Sequence, residues 1–244
     1  IINELQDANN QKQIITNPSF YAFKNYKLNN RAQYAQARLV FEKKLNGLNV
    51  IRFGSDYFYS DEKSTYTLYN GIQFSEKVKD NLESVFAEAD IFLTNSLAAK
   101  IGSRLEHSKL INKWNVAPRL SVAYKFADNS QPSPAYGIFY QNPERKYLPT
   151  ITGLDYSRAS HYILQYQKLS SQRTFRVEAF YKKYSDLYKT TVSATGREIA
   201  TNNNGFGDAK GMELFWRDKK TFKNVDYWIS YSYLDTKRDF LNYP

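Results

Sequence analysis

The 244-residue chain contains no cysteine, so a disulfide framework and a thiolate metal site are both excluded. Histidine occurs only as His107 and His161. Zinc takes three or four ligands, and these two residues do not supply them; solvated histidines at strand ends are the simpler reading. No protein-borne metal site, no cofactor and no catalytic group is expected. No run of about 18 apolar residues exists, which excludes a helical membrane span. A secretory leader is also missing from the start: Ile1 to Asn10 reads IINELQDANN, without a basic opening or an apolar core. Compact basic runs are absent too. The net charge is +10, but the densest clusters are only Glu42-Lys43-Lys44, Lys182-Lys183 and Lys219-Lys220. Charge spread this thinly argues against a nucleic-acid partner.

Aromatic residues are abundant where glycine and proline are scarce: 21 Tyr and 16 Phe against 10 Gly and 7 Pro. That composition suits β-strands. The residues alternate in polarity along most of the chain. Val85, Ala87, Ala89, Ile91 and Leu93 share one face of a strand, with Phe86, Glu88, Asp90 and Phe92 on the other. After Asn95-Ser96 the pattern resumes, with Leu97, Ala99, Ile101 and Leu105 opposite Lys100, Arg104 and Glu106. Charges in the middle of long strands are costly if both faces are dry. They are tolerated where one face meets lipid and the other water, as in a transmembrane β-barrel, whose strands run about 9–11 residues. A mean hydropathy of −0.64 is compatible with such a wall, since half of each strand is polar.

The alternation predicts about ten strands in up-and-down order between Ala32 and Phe240. Short turns are predicted at Asn46-Gly47, Asn95-Ser96, Asp128-Asn129, Ser171-Gln172 and Lys219-Lys220. Longer connections are predicted at the other end: a polar stretch from Asp61 to Asn81, and loops over Gln141 to Ser157 and Ser185 to Asp208, with a modest one from Ser108 to Trp114. Outer-membrane barrels show this asymmetry of short periplasmic turns and long external loops. Ile1 to Arg31 is less patterned and reads as a preceding segment and loop. The fold class expected is all-β, a partial antiparallel transmembrane barrel. The positive charge then fits a surface beside anionic outer-membrane lipid and lipopolysaccharide, or a lumen that attracts anionic solutes.

Motifs for other chemistries fail on inspection. Gly205-Phe206-Gly207-Asp208-Ala209-Lys210-Gly211 lacks the spacing and the following helix of a dinucleotide loop. No G-x-S-x-G elbow is present. The tyrosine rows Tyr57/Tyr59, Tyr162/Tyr166 and Tyr227/Tyr231/Tyr233 could stack sugars, but an interfacial aromatic girdle is the favoured reading.

Read in order, VFAEADIFLTNSLAAKIGSRLEHS, APRLSVAYKF, AYGIFYQNPE, HYILQYQ, FRVEAFYKKYSDL, GFGDAKGMELFW and WISYSYLDTKRDF resemble the barrel of TonB-dependent outer-membrane receptors of the Bacteroidetes type. The resemblance implies a barrel of about 22 strands plugged by an N-terminal domain. It also implies a TonB box that couples transport to the inner membrane, and active import of a siderophore, haem, cobalamin, glycan or peptide. Nothing in the chain resembles a plug or a TonB box, so an internal barrel fragment is expected. TonB would then act through a missing plug, and a surface lipoprotein is a possible further partner. Two alternatives stand beside import: a passive or adhesive outer-membrane barrel without TonB coupling, and a soluble β-sheet binding protein.

The candidate lumen- and solute-facing residues are Asp56, Glu88, Arg104, Glu106, Arg119, His161, Lys182 and Glu213. Glu88, Arg104 and Arg119 are expected near the outer mouth. A cross-strand ladder of opposite charges that merely solvates the wall is the competing role. Charge reversal at Arg104 or Arg119 is expected to impair uptake and leave assembly intact.

Overall fold

The computed structural model describes residues 4–6, 12–14, 26–68, 70–144, 153–192 and 198–239. A small ribbon pairs β1 (Glu4–Gln6) with β2 (Lys12–Ile14). The rest forms one ten-stranded antiparallel sheet in simple sequence order. Its strands are β3 (Tyr26–Lys44), β4 (Val50–Leu68), β5 (Gln73–Phe92), β6 (Leu97–Ser108), β7 (Lys113–Tyr124), β8 (Ser130–Gln141), β9 (Ser157–Leu169), β10 (Arg173–Val192), β11 (Glu198–Asp218) and β12 (Tyr227–Arg238). The expected up-and-down order therefore holds, and no helix occurs among the described residues.

Period-two alternation divides the sheet into two unlike faces. Leu164, Tyr231 and Val116 are 57%, 55% and 53% exposed on the outer face. Leu39, Tyr57, Ile101 and Tyr162 share that face and are also exposed. A contiguous apolar surface of this extent belongs against lipid or another apolar phase. The inner face carries the charges. A flat sheet would hold β3 and β9 roughly 29 Å apart at about 4.8 Å per strand step. Arg38 of β3 and His161 of β9 nevertheless border one hollow of about 620 Å³, so the sheet curls around its polar face.

All five expected short turns join strands at one end of the sheet. Gly47 sits there at φ 70°, a conformation that a side chain would strain. At the other end the expectation of long loops needs correction. The polar stretch from Asp61 to Asn81 is mostly ladder, with β4 and β5 paired from Tyr57↔Glu83 up to Thr67↔Gln73. Likewise β10 and β11 continue to Val192↔Glu198. A hairpin that rises beyond the apolar belt has no face that must meet lipid. It no longer needs alternating polarity, so its sequence reads as loop while its backbone stays paired. For the same reason β3 begins at Tyr26, before the expected Ala32.

Proline and glycine leave local marks. The ladder between β8 and β9 runs unbroken through Pro132 and Pro134. The ladder between β7 and β8 is limited to Arg119↔Gly137 through Ser121↔Ala135. Proline lacks the N–H that a second neighbour would need. On the inner face Gly54 lies opposite Phe86, and Gly211 opposite Phe180. Each ring covers its glycine: a Cβ on Gly54 would meet Phe86 at 2.8 Å and one on Gly211 would meet Phe180 at 2.6 Å, and both would also run into a neighbouring backbone carbonyl. Gly54→Ala or Gly211→Ala should cost about 1–3 kcal/mol through overpacking. The expected outcome is a reduced fraction of heat-resistant, fast-migrating barrel on electrophoresis of the full-length protein; an unchanged fraction would show that the sheet relaxes around the added methyl.

Candidate functional site

The inner face is built from residues that alternate with the apolar belt. β4 places Arg52, Gly54 and Asp56 inward, β5 places Phe86, Glu88 and Asp90, and β6 places Lys100, Arg104 and Glu106. Cations and carboxylates interlock across these strands. Arg104 donates from both terminal nitrogens to Asp56 Oδ2 at 2.7 Å, and its Nε donates to Glu106 at 3.3 Å. Arg38 approaches the other Asp56 oxygen at 3.4 Å. Arg52 donates to Glu42 at 2.7 Å and to Asp90 at 2.6 Å. Lys100 sits 3.1 Å from Glu88 and 3.6 Å from Asp90. The Asp56 side chain is only 10% exposed, so its cations are what make an ionised carboxylate tolerable there.

Inward phenylalanines form the second part of the design. Arg38 and Arg104 lie 5.3 and 5.9 Å from the Phe86 ring centre. Arg119 lies 4.7 Å from Phe139, Lys182 4.9 Å from Phe180, and Arg176 6.0 Å from Phe215. Such contacts suit cations on a partly desolvated wall. His161 stacks on Phe139 with ring centres 4.5 Å apart and stands opposite Lys182 in the ladder.

The eight candidate residues thus fall into different positions. Glu88, Arg104, Glu106, Arg119 and His161 border the same hollow. Asp56 is held behind it by Arg104, and Lys182 adjoins it through His161. Glu213 lies apart, directly opposite Glu178. Glu88 and Arg119 share one row of the ladder through Gly102, toward the short-turn ends of β5 and β7, and both are therefore placed away from the outer mouth. Arg119 is the exception within the hollow: no carboxylate pairs with it among the described residues, and its contact is the Phe139 ring. The tyrosines Tyr57, Tyr162, Tyr231 and Tyr233 are exposed on the outer face, away from the hollow.

The sequence reading missed the closure at the far end of the inner face. Asn142, at the start of the β8–β9 connection, donates to Asp80 at 2.9 Å, and Ser108 donates to the same carboxylate at 3.3 Å. At the exit of that connection, Asn203 both accepts from the Asp155 N–H at 2.9 Å and donates to its carbonyl at 3.2 Å. Tyr188 donates to that carbonyl at 2.6 Å, and the Tyr156 hydroxyl donates to the Lys113 carbonyl at 3.0 Å. Lys113 pairs with the Asp155 carboxylate, while Leu154 packs with Tyr188 and Ala200. Burial pushes the Tyr156 hydroxyl up to about 12. The exit of the proline-punctuated loop, residues 154–156, is therefore fastened to β7, β10 and β11, while residues 145–152 of that loop lie outside the described residues. No local pattern announces partners this distant.

A curled sheet with a lipid-suited outer face and an ion-laced inner face is the wall of an outer-membrane type of β-barrel. The family model described as TonB dependent receptor-like, beta-barrel matches residues 3–244. The chain belongs to that family. Solved structures with the same fold include the outer membrane transporter YddB from Escherichia coli, with a TM-score of 0.66 and 16% identity over 87% of this chain and 34% of that one. The FrpB iron transporter from Neisseria meningitidis aligns with a TM-score of 0.72 and 14% identity over 86% of this chain and 36% of its own. The siderophore receptor PirA from Pseudomonas aeruginosa aligns with a TM-score of 0.67 and 13% identity over 85% and 41%. The chain thus spans well under half the length of each. No curated protein matches it.

The fastening of 153–156 can be tested in the full-length protein. Asn203→Ala removes both bonds to the Asp155 backbone. Amide hydrogen exchange at Asp155, whose N–H donates to Asn203, should accelerate about tenfold, the equivalent of about 1.4 kcal/mol. Unchanged exchange would mean that the seat of Leu154 alone holds the segment.

Proposed function

We propose that this wall belongs to an active importer of the bacterial outer membrane, driven through TonB, and that its solute is anionic, as ferric catecholate siderophores and haem are. The carrying observation is Arg119. It borders the hollow of the inner face, rests on Phe139, and is the arginine there without a carboxylate partner among the described residues. Arg104 and Lys100 are already engaged by Asp56, Glu106, Glu88 and Asp90. The first group offers a cation to a passing anion; the second stiffens the wall. Family membership supports the import reading, as do similar folds named as iron transporter and siderophore receptor. Coupling to TonB would run through a plug, and the strands at the two edges of the sheet, β3 and β12, would pair with the remaining strands of the barrel. A Bacteroidetes origin and a surface lipoprotein partner rest on the resemblance of the residues alone.

The two arginines that charge reversal would address differ in their partners. Arg119→Glu should leave assembly intact and cut uptake of the anionic solute at least about tenfold, with Arg119→Lys restoring most of it. Arg104→Glu should instead impair assembly, because it would set a carboxylate against the enclosed Asp56. Uptake by the full-length receptor in its own host, with and without TonB, measures both parts. TonB-independent uptake would favour the passive barrel, and full uptake by the Arg119→Glu variant would return Arg119 to a structural role.

A further inference from the structure

The outer face changes character above the apolar belt. Arg31 of β3 lies directly opposite Lys63 of β4, and Lys63 directly opposite Lys77 of β5. One step lower, Gln33, Asp61 and Lys79 form the adjoining row on the same face. Like charges placed directly opposite one another in a sheet repel. Compensation within the protein is thin. Asp61 alone serves both Lys77 and Lys79, at 3.2 and 3.4 Å. Arg31 and Lys63 have no carboxylate partner among the described residues and are exposed. Burial would raise the Asp61 carboxyl, but Lys77 and Lys79 together hold it below its usual range, so it stays ionised and leaves the row net positive.

Beneath this row lies an apolar groove of about 490 Å³, bordered by Leu39, Tyr57, Val85, Leu105 and Trp114. Both acidic residues on its border are already engaged, Glu83 by Lys109 at 2.8 Å and Asp56 by Arg104 at 2.7 Å. Tyr57 and Lys63 are six residues apart on β4, roughly 20 Å at about 3.3 Å per residue. Cations thus stand above a lipid-facing groove within the length of one membrane lipid, from its headgroup to the body of its acyl chains.

We propose that Arg31, Lys63 and Lys77 form a binding site on the outside of the wall for a phosphorylated glycolipid of the outer leaflet, its phosphate on the cation row and an acyl chain in the groove below. The occupant is a membrane lipid and not free phosphate, because the groove gives the site an apolar half that an inorganic anion would leave unused. Three adjacent cations attract an anionic headgroup strongly at a membrane surface. The inference rests on the wall spanning an outer membrane, and is independent of which solute is carried.

The test uses the full-length receptor, purified in mild detergent and examined by native mass spectrometry after incubation with lipid A, with enzymatically dephosphorylated lipid A, or with inorganic phosphate. The wild type should hold lipid A at least about tenfold more tightly than the Arg31→Ser/Lys63→Ser/Lys77→Ser variant. Dephosphorylated lipid should bind the wild type as weakly as lipid A binds the variant. A variant altered at the opposite end, Lys219→Ser/Lys220→Ser/Lys223→Ser, should keep wild-type affinity. If the triple variant assembles poorly, Lys63→Ser alone should lower affinity about threefold. Equal retention by wild type and variant would overturn the proposal, as would complete displacement of lipid A by millimolar phosphate. A receptor missing from the outer-membrane fraction would instead count against the importer reading, so the two failures are distinguishable.

Discussion

The constraint on which everything else depends is that a backbone crossing hydrocarbon has no water to bond with. Each N–H and C=O must find a partner in the protein, and for strands that means a neighbour on either side. The ladders from β3 to β12 meet that demand by joining every strand to the next in sequence order. Strand geometry then sends alternate side chains to opposite faces. One face becomes a surface for lipid and the other a surface for water, and a charge can sit in mid-strand without desolvation so long as its parity is right. The few breaches are local. Prolines shorten the seam between β7 and β8, while Pro132 and Pro134 keep full pairing to β9.

Once the inner face is polar, its charges must be compensated across strands, because neighbours along one strand point the other way. Asp56 is therefore held by arginines from β3 and β6, and Arg52 by carboxylates from β3 and β5. Inward phenylalanines complement this in two ways: Phe86 and Phe180 cover glycines opposite them, and the same rings carry Arg38, Arg104 and Lys182. Against that background an unpaired cation has meaning, since the rest of the wall shows how readily this chain pairs its charges. Among the described residues, Arg119 inside and the Arg31, Lys63, Lys77 row outside are places where cations outnumber the carboxylates that pair with them. One faces the hollow and the other stands above the apolar belt, at the site proposed for a lipid headgroup.

Much of the wall was readable in advance. Alternation placed Asp56, Glu88, Arg104, Glu106 and Arg119 on one face, and the turn residues marked one end of the sheet. The upper hairpins were unreadable for a physical reason: beyond the apolar belt no face of β4, β5, β10 or β11 has to meet lipid, so polarity no longer reports pairing. The inward phenylalanines carried a signal of their own. Phe86, Phe139, Phe180 and Phe215 occupy polar-face positions, and an aromatic residue of the wrong parity marks either a covered glycine or a seated cation. The anchoring of Asp155 by Lys113, Tyr188 and Asn203 carried none.

Local chemistry by itself determined the class of structure here: absent cysteine and absent long apolar runs removed the alternatives, and period-two polarity left a two-faced antiparallel wall. Such features depend on residues a few positions apart, so one strand suffices to express them. The tertiary structure decided which charges are spoken for. Arg104 and Arg119 look alike in sequence, yet one is locked to an enclosed carboxylate on β4 and the other rests on a ring with its charge uncompensated. That difference arises from curvature and cross-strand register, which bring together residues from strands that are not neighbours in the chain.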